Sequence, residues 1–591
     1  MIFDLRVPFA LFAVMLLAAA IPTSTRMRFV ALATDYDETL APHGQVLERT
    51  VAALERLKAS GRKLLLVTGR DLDDLLEVFA RVDLFDAVVA ENGALLYLPD
   101  RKQERTLADP PPPGFALALG QRGVPLTTGR VIVATRVPHE TAVLEEIKRH
   151  GLELQVIFNK GAVMVLPSGV NKGSGLRAAA YELRLSTHNV VAVGDAENDH
   201  VFLTEAELGA AVANALPTLR ERADLVLRGQ ANQGVEELID MLLSDGLRGA
   251  SARSKRRNLI LGEDGGGGQV TVAPDSGPLL FAGNSKSGKS TAAKGFVERL
   301  LDAGYQCCIL DPEGDWEEFD RTVQMGDARR PPTLDEVVHA LTLPGEQIVV
   351  NLVAVRVGDR PEFCSALLLR LQELRARTGR PHWIVLDEAH HLLPHGERHA
   401  QDALPPDVRG LVAVTVEPHE LARSLLERLQ AVVAVGPDAE QTLADFAGAR
   451  GLRKPRPIGR KMERGEALLW HPDAAPVWVR LAPTRAHHHR HVRKYAEGEL
   501  PPERSFFFRG PDKRLNLRAR NLIQFGQLAE GVDDATWLHH LRQGDYSRWF
   551  RDEVKDEDLS HAAELAERDP SLDARETRTR ILTAIQQRYT V

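Results

Sequence analysis

Cysteine is nearly absent from this 591-residue chain: there are three, and Cys307 and Cys308 stand side by side in an apolar run. Neither a disulfide framework nor a zinc site can be spaced from them, so a reducing cytoplasm is the expected compartment. A surplus of positive charge is also missing. The formal net charge is −8, and residues 251–486 hold about 30 basic against 32 acidic side chains, which excludes a surface that coats nucleic acid broadly. Aromatic residues make up 5%. There is no internal repeat. Long hydrophobic runs are missing as well, save VPFALFAVMLLAAAI at 7–21. At 15 residues it is short for a bilayer span. It reads as a leader ahead of a start at Met27, with a membrane tether or a cleaved signal as the alternatives, and no stable membrane association is expected.

What the chain does contain is alternation. Hydrophobic content is 44% and charged content 26%, an ordinary globular balance, and the length predicts several domains. From 28 to 240, short apolar runs (RFVALAT, KLLLVTG, AVVAEN, VVAVGD, LGAAVAN) alternate with amphipathic helical patterns, the signature of a parallel sheet with crossover helices. PPPP at 110–113 interrupts the pattern, and an inserted α+β subdomain is expected at about 98–168. RSKRR and GGGG mark 246–276 as a linker. A second alternating series (PLLFAG, YQCCILDP, QIVVNL, HWIVLDE, GLVAVTV, AVVAVG) fills 277–486, and 487–591 reads as helical. The expected class is α/β, with two Rossmann-like parallel-sheet cores, spanning 27–245 and 277–486, and a C-terminal helical domain.

Chemistry gathers at the predicted strand ends, the edge where open α/β sheets bind ligands. TDYDETL (34–40) puts Asp35 and Asp37 after the first strand. Thr68 ends the second, Lys172 stands before a helix in NKGSGL, and Asp195 ends VAVGDAEND with Asn198 and Asp199 on the next turn. These are a carboxylate nucleophile, a second acid for proton transfer, a hydroxyl, a fixed cation and an acidic corner suited to Mg²⁺. In this order DYDET, VTGR, the lysine of NKGSGL and GDAEND resemble the four motifs of haloacid dehalogenase-like phosphohydrolases. ENGA at 91–94 and the insertion are similar to the Cof-type branch, which includes sugar-phosphate phosphatases. The resemblance implies Asp35 as nucleophile, Asp37 as general acid/base, and Thr68 with Lys172 holding phosphate. It implies Mg²⁺ on Asp35, the carbonyl of Asp37, and Asp195, supported by Asp199. The expected substrate is a small phosphorylated metabolite, a sugar phosphate first. Phe158, Asn159 and Lys160 are candidates to face it, or an ordinary strand end.

A second phosphate signature lies at 281–291, FAGNSKSGKST. It fits G-x-x-x-x-G-K-[ST] between a strand and a helix, so that Gly283, Asn284, Ser285, Lys286, Ser287, Gly288, Lys289, Ser290 and Thr291 would cradle the phosphates of ATP. Lys289 would reach the β/γ-phosphates and Ser290 would ligate Mg²⁺. HWIVLDEAHHLLP supplies Asp387 to support the metal and Glu388 to polarise water. With ILDPEGDW these residues resemble the HerA/FtsK-like ATPases, which implies a possible homo-oligomeric ring. Nucleic acid as partner is at best a moderate expectation: Thr415 is the only candidate polar sensor, and no β-barrel precedes the loop. Arg423 and Arg428 are candidate arginine fingers or plain surface charges, and a basic cluster runs from Arg450 to Arg464. The histidines of AHHHRHVR (486–493) read as a solvated linker rather than a metal site, and FFF (506–508), Trp537, Trp549 and Phe550 as a small core.

Overall fold

The computed structural model describes residues 27–159, 161–251, 254–317, 319–396, 403–485, 500, 502–512, 515–554 and 556–588. The expectations for 1–26, Lys160 and the histidine run 486–493 lie outside them. Among the described residues no helix is long and apolar enough to cross a membrane.

The first core is an eight-stranded sheet built from β1 (Ala31–Thr34), β2 (Lys63–Val67), β3 (Ala87–Ala90), β4 (Leu95–Leu98) and β5 (Gln103–Thr106), and, after an insertion carrying β6–β9, β10 (Val190–Gly194), β11 (Leu208–Ala211) and β12 (Leu225–Val226). The order is β12-β11-β10-β1-β2-β3-β4-β5, parallel from β12 to β3 and antiparallel at β4 and β5. β1, β3, β10 and β11 are buried along their whole length, which is why they read as unbroken apolar runs rather than alternating ones. The insertion holds the four-stranded antiparallel sheet β6 (Thr127–Thr128), β7 (Val133–Arg136), β8 (Leu154–Asn159) and β9 (Ala162–Pro167), in the order β6-β7-β9-β8. Its helices are Pro113–Gln121 and Glu140–His150. The insertion thus begins near 113, not 98. Gln103–Thr106 pairs with β4 in the main sheet, and its fully exposed QERT carries no apolar period to announce a strand.

The second core is an eleven-stranded sheet: β13 (Leu259–Glu263), β14 (Gln269–Val272), β15 (Leu279–Ala282), β16 (Cys307–Asp311), β17 (Val323–Met325), β18 (Ile348–Asn351), β19 (Trp383–Leu386), β20 (Leu411–Thr415), β21 (Ala431–Val435), β22 (Glu466–Trp470) and β23 (Val477–Leu481). The order is β14-β13-β23-β22-β21-β15-β20-β19-β16-β18-β17. All six strands expected between 277 and 436 form and pair in parallel. The expected linker is different: 259–272 is a β-hairpin at the sheet edge, and GGGG is its turn. There the Asp264 carboxylate accepts from the N–H groups of Gly266 and Gly268, both at 2.8 Å.

The two cores belong to one compact unit, Met1–Ala486, and His487–Val591 forms another. They meet through the amino ends of their strands. Asn189 and Glu207 immediately precede β10 and β11, while Gln306 and His382 immediately precede β16 and β19. The buried Glu207 carboxylate takes hydrogen bonds from Arg28 (2.6 Å) and Tyr305 (3.0 Å) and lies 2.8 Å from His188 Nδ1. The other nitrogen of His188 is 2.8 Å from the Ala303 carbonyl, and its ring stacks on Tyr305 with centroids 4.0 Å apart. Arg380 donates to the Arg184 carbonyl at 2.9 Å. Burial opposes the charge on Glu207, but the His188 contact and the Arg28 guanidinium hold its pKa down to about 2.

In the second unit, Phe506–Phe508 is a strand paired with Leu517–Ala519, so strands do not stop at 486. Phe506, Phe508, Trp537, Trp549 and Phe550 do fill one core, packed among helices.

Glu207→Gln removes one partner of a buried charge cluster and is expected to cost about 3–5 kcal/mol of stability, measured by denaturant unfolding. Since its folded-state pKa lies below the ~4.3 of a free glutamate, Glu207 stabilises fully above that pH and progressively less as pH falls towards about 2. The acid-side loss of stability in this window should be shallower in the variant.

Candidate active site

The carboxyl ends of β1, β2 and β10 lie side by side, because Thr34 is in register with both Leu66 and Val193. Asp35 follows β1 and is fixed by its N–H donating to the Val193 carbonyl at 3.0 Å. Thr68 follows β2, where its hydroxyl accepts from the Arg70 N–H at 3.1 Å. Asp195 follows β10, and Thr39 donates to it at 3.1 Å. Lys172 opens the helix Lys172–Glu182, whose start Asn171 and Ser174 close with a reciprocal capping box.

The Lys172 ammonium is buried and sits 2.6 Å from Asp35 Oδ1 and 2.5 Å from Asp199 Oδ1. The second Asp199 oxygen accepts the N–H groups of Asp195 and Ala196 at 2.8 and 2.9 Å. Gly194 leaves the necessary room, since a Cβ there would come within 2.6 Å of Asp199 Oδ2. Carboxylate oxygens of Asp35, Asp195 and Asp199 all lie within 4.8 Å of one another. Burial first, then the negative charge of Asp199, pushes the Asp35 carboxyl up to about 8 against the pull of Lys172. The same carboxylates keep Lys172 charged, its pKa raised although burial pulls the other way. Three buried acids against one cation leave a surplus of negative oxygen donors. This hard, oxygen-only set fits Mg²⁺.

Asp37 is placed apart from that cluster. Arg70 grips it through two nitrogens, Nε to Oδ2 at 2.9 Å and a terminal nitrogen to Oδ1 at 2.6 Å, and the same guanidinium holds Asp74 at 2.5 Å. Arg70, the arginine of VTGR, has no part in the expected phosphate site, and nothing in its local sequence marks this contact. ENGA, used as a branch signature, has a mechanical role. Glu91, Asn92 and Gly93 all have positive φ, and the buried Glu91 carboxylate accepts the N–H groups of Arg130, Val131 and Ile132 at 2.7, 2.8 and 2.9 Å. One core side chain thereby pins the inserted subdomain. Next to it Asn198 donates to Asn92 at 3.0 Å, leaving Asn92 Nδ2 and Asn198 Oδ1 buried without partners among the described residues. Phe158 is half-exposed.

In the second core, 283–288 links β15 to the helix Lys289–Asp302. Gly288 adopts φ 95°, a conformation that favours glycine. Lys289 is buried and reaches Glu388 at 2.6 Å. The hydroxyl of Ser287 is buried with no hydrogen-bond partner among the described residues, and Asn284 donates to Asp438 at 2.8 Å. Asp387 accepts from the Trp316 indole at 2.8 Å. Burial, then the charge of Asp311, raises Asp387 to about 6. Thr415 and His390 Nδ1 are 3.0 Å apart. Ser285 and Lys286 are exposed, Ser290 and Thr291 half-buried. β20 lies between β15 and β19, so Gly283–Lys289 and Asp387–Glu388 come from the carboxyl ends of non-adjacent strands. Arg428 is tied to the Pro405 and Ser424 carbonyls, and Arg423 pairs with Glu427 on the surface.

Residues 32–111 and 127–239 match the family model described as haloacid dehalogenase-like hydrolase. A phosphoglycolate phosphatase of Methanothermobacter thermautotrophicus is 32% identical over 219 residues, covering 35% of this chain and 96% of that protein. Phosphoglycolate phosphatase 2 of Saccharolobus solfataricus is 30% identical over 223 residues, 36% of this chain and 93% of its own. A haloacid dehalogenase-like hydrolase structure from Bacteroides thetaiotaomicron aligns over 36% of this chain and 99% of its own, with 17% identity and a TM-score of 0.33.

Glu91→Ala leaves three N–H groups of the insertion unpaired, of which those of Val131 and Ile132 are buried, at a cost of about 1–3 kcal/mol for each buried group. Hydrogen exchange at 130–132 should accelerate in this variant more than exchange in β1 or β10.

Proposed function

As the chain belongs, through residues 32–239, to the haloacid dehalogenase-like hydrolases, we propose that this part is a Mg²⁺-dependent phosphatase of small phosphorylated metabolites. The observation that carries this reading is the buried cluster of Asp35, Asp195 and Asp199 around the Lys172 ammonium. A sugar phosphate is one candidate substrate. The similar proteins named phosphoglycolate phosphatases favour a phosphorylated hydroxy acid instead.

Asp35, the main-chain carbonyl of Asp37, and Asp195 would hold the metal ion, with Asp199 in support. Bound there, Mg²⁺ supplies positive charge that offsets the phosphoryl oxygens. Lys172 and Thr68 hold and orient the phosphoryl group. An Asp35 oxygen attacks phosphorus, the P–O bond to the leaving group breaks, and Asp37 gives its proton to the departing oxygen. Water then attacks the aspartyl-phosphate, Asp37 takes a proton from it, and the P–O bond to Asp35 breaks to release inorganic phosphate. Arg70 must loosen its grip on Asp37 for these proton transfers, which makes the resting pair a point of control.

For residues 277–486 we propose ATP binding and hydrolysis in the manner of the HerA/FtsK-like ATPases. The buried Lys289 at the start of its helix and the Asp387–Glu388 pair support it. Lys289 would leave Glu388 for the phosphates, freeing that carboxylate to polarise water. The alternative reading makes this half an ATP-driven translocase or assembly motor, with the first core as its phosphate sensor. ATP-dependent ring formation and salt-sensitive DNA binding by the full chain would favour that reading.

Phosphate release from 2-phosphoglycolate and a sugar-phosphate panel is expected to require Mg²⁺, to vanish in Asp35→Asn, and to fall ~10²–10⁴-fold in Asp37→Asn. ATP hydrolysis should survive Asp35→Asn and be lost in Lys289→Ala. Loss of both activities in Lys289→Ala alone would overturn the two-site reading.

A further inference from the structure

Where the strand amino ends of the two cores meet, the junction encloses a cavity of about 230 Å³. It opens on the edge of each sheet opposite to the one that carries Asp35 or Lys289. Its wall holds four guanidinium groups, from Arg28, Arg248, Arg257 and Arg409, against two carboxylates, Glu207 and Asp275. With Asp407 beside Arg248, one positive charge is in excess among the described residues.

Two of those guanidinium groups, Arg257 and Arg409, are held chiefly by carbonyls, each with its carboxylate at the far limit of an ion pair. Arg257 donates to the carbonyls of Thr204, Glu205 and Ala206 at 2.6–3.0 Å, and its nearest carboxylate, Glu207, is 3.9 Å away. Arg409 donates to the Asp275 carbonyl at 2.7 Å, with the Asp275 carboxylate at 4.0 Å. Carbonyl acceptors fix the plane of an arginine but leave its charge intact. Arg28 is committed to Glu207 at 2.6 Å and lies 3.5 Å from Asp275. Arg248, half-exposed, has Asp407 at 3.6 Å. On two of the lining residues, Arg257 Nε and Ser276 Oγ are buried behind the wall and make no hydrogen bond among the described residues. Guanidinium groups with nitrogens left over from their protein partners favour a ligand rich in negatively charged acceptor oxygens.

We propose that this junction is a binding site for a small tetrahedral oxyanion: inorganic phosphate, or the phosphoryl end of a small phosphomonoester. The outward nitrogens of Arg248 and Arg409 would donate to its oxygens, with the Arg28 and Arg257 guanidinium groups behind them adding positive potential. With a water occupying roughly 30 Å³ of liquid, the cavity has room for such an anion with a few waters or a short carbon stub. The site is independent of both proposed active sites. Because its wall comes from both cores, an anion bound there would strengthen their union.

The test is calorimetric titration of the full chain with inorganic phosphate in EDTA, with glycerol 2-phosphate as a second arm in the Asp35→Asn background. Arg248→Gln and Arg409→Gln alter partly exposed side chains, so folding should persist, which circular dichroism would verify. Each is expected to weaken one phosphate site tenfold or more and to shrink the phosphate-induced rise in Tm. A Lys172→Met/Lys289→Ala chain should keep that site. Tighter binding of phosphate would mark the free anion as the ligand, and tighter binding of the ester a metabolite. Unchanged affinity and stoichiometry in both arginine variants would overturn the proposal, as would loss of all phosphate binding in the double lysine variant.

Discussion

One buried ammonium organises the first core. Lys172 lies between Asp35 and Asp199, and Asp195 is close enough to add a third carboxylate to the same few ångströms. Bringing these acids together without Lys172 would place like charges in a medium that screens them poorly. The cation makes the cluster tolerable yet leaves it negative, which is the state a divalent ion and then a phosphoryl group require. Much of the surrounding backbone serves this arrangement: Gly194 yields space to Asp199, and the capping box at Asn171 fixes where the lysine's helix starts.

The second constraint is at the opposite edge. The cores join where their strands begin, through Glu207, His188, Tyr305 and the arginines around them. An α/β sheet presents ligand sites at its carboxyl edge, so fusing the amino edges leaves both carboxyl edges free. The two candidate sites therefore cannot share a substrate pocket. What they can share is the rigidity of a charged junction, in which a carboxylate held down to about 2 stays ionised at any physiological pH.

Legibility followed the range of the physics. Asp35, Thr68, Lys172 and Asp195 were readable because each sits at a strand or helix end marked by its own short motif, and strand ends of a parallel sheet converge by construction. The six parallel strands of the second core were readable for the same reason, as unbroken apolar runs. GGGG at 265–268 was misread as a linker, since glycines mark a tight turn whether it joins domains or the two arms of a hairpin. QERT showed no strand because both its faces are exposed. Arg70, Glu91 and Thr39 were overlooked for another reason. Their roles are defined by Asp37, by the N–H groups of 130–132 and by Asp195, and no local pattern carries that information.

By itself the sequence determined the strand and helix periods, the residues that end each strand, and with them the kinds of chemistry each core can hold. Those follow from local sterics and from the separation of apolar and polar positions. Tertiary structure alone decided that Asp37 rests in the grip of Arg70, that Glu91 pins the insertion, and that the cores meet at their amino edges around an arginine-walled cavity. Each of these depends on side chains distant in sequence meeting in space, where burial and charge are settled together.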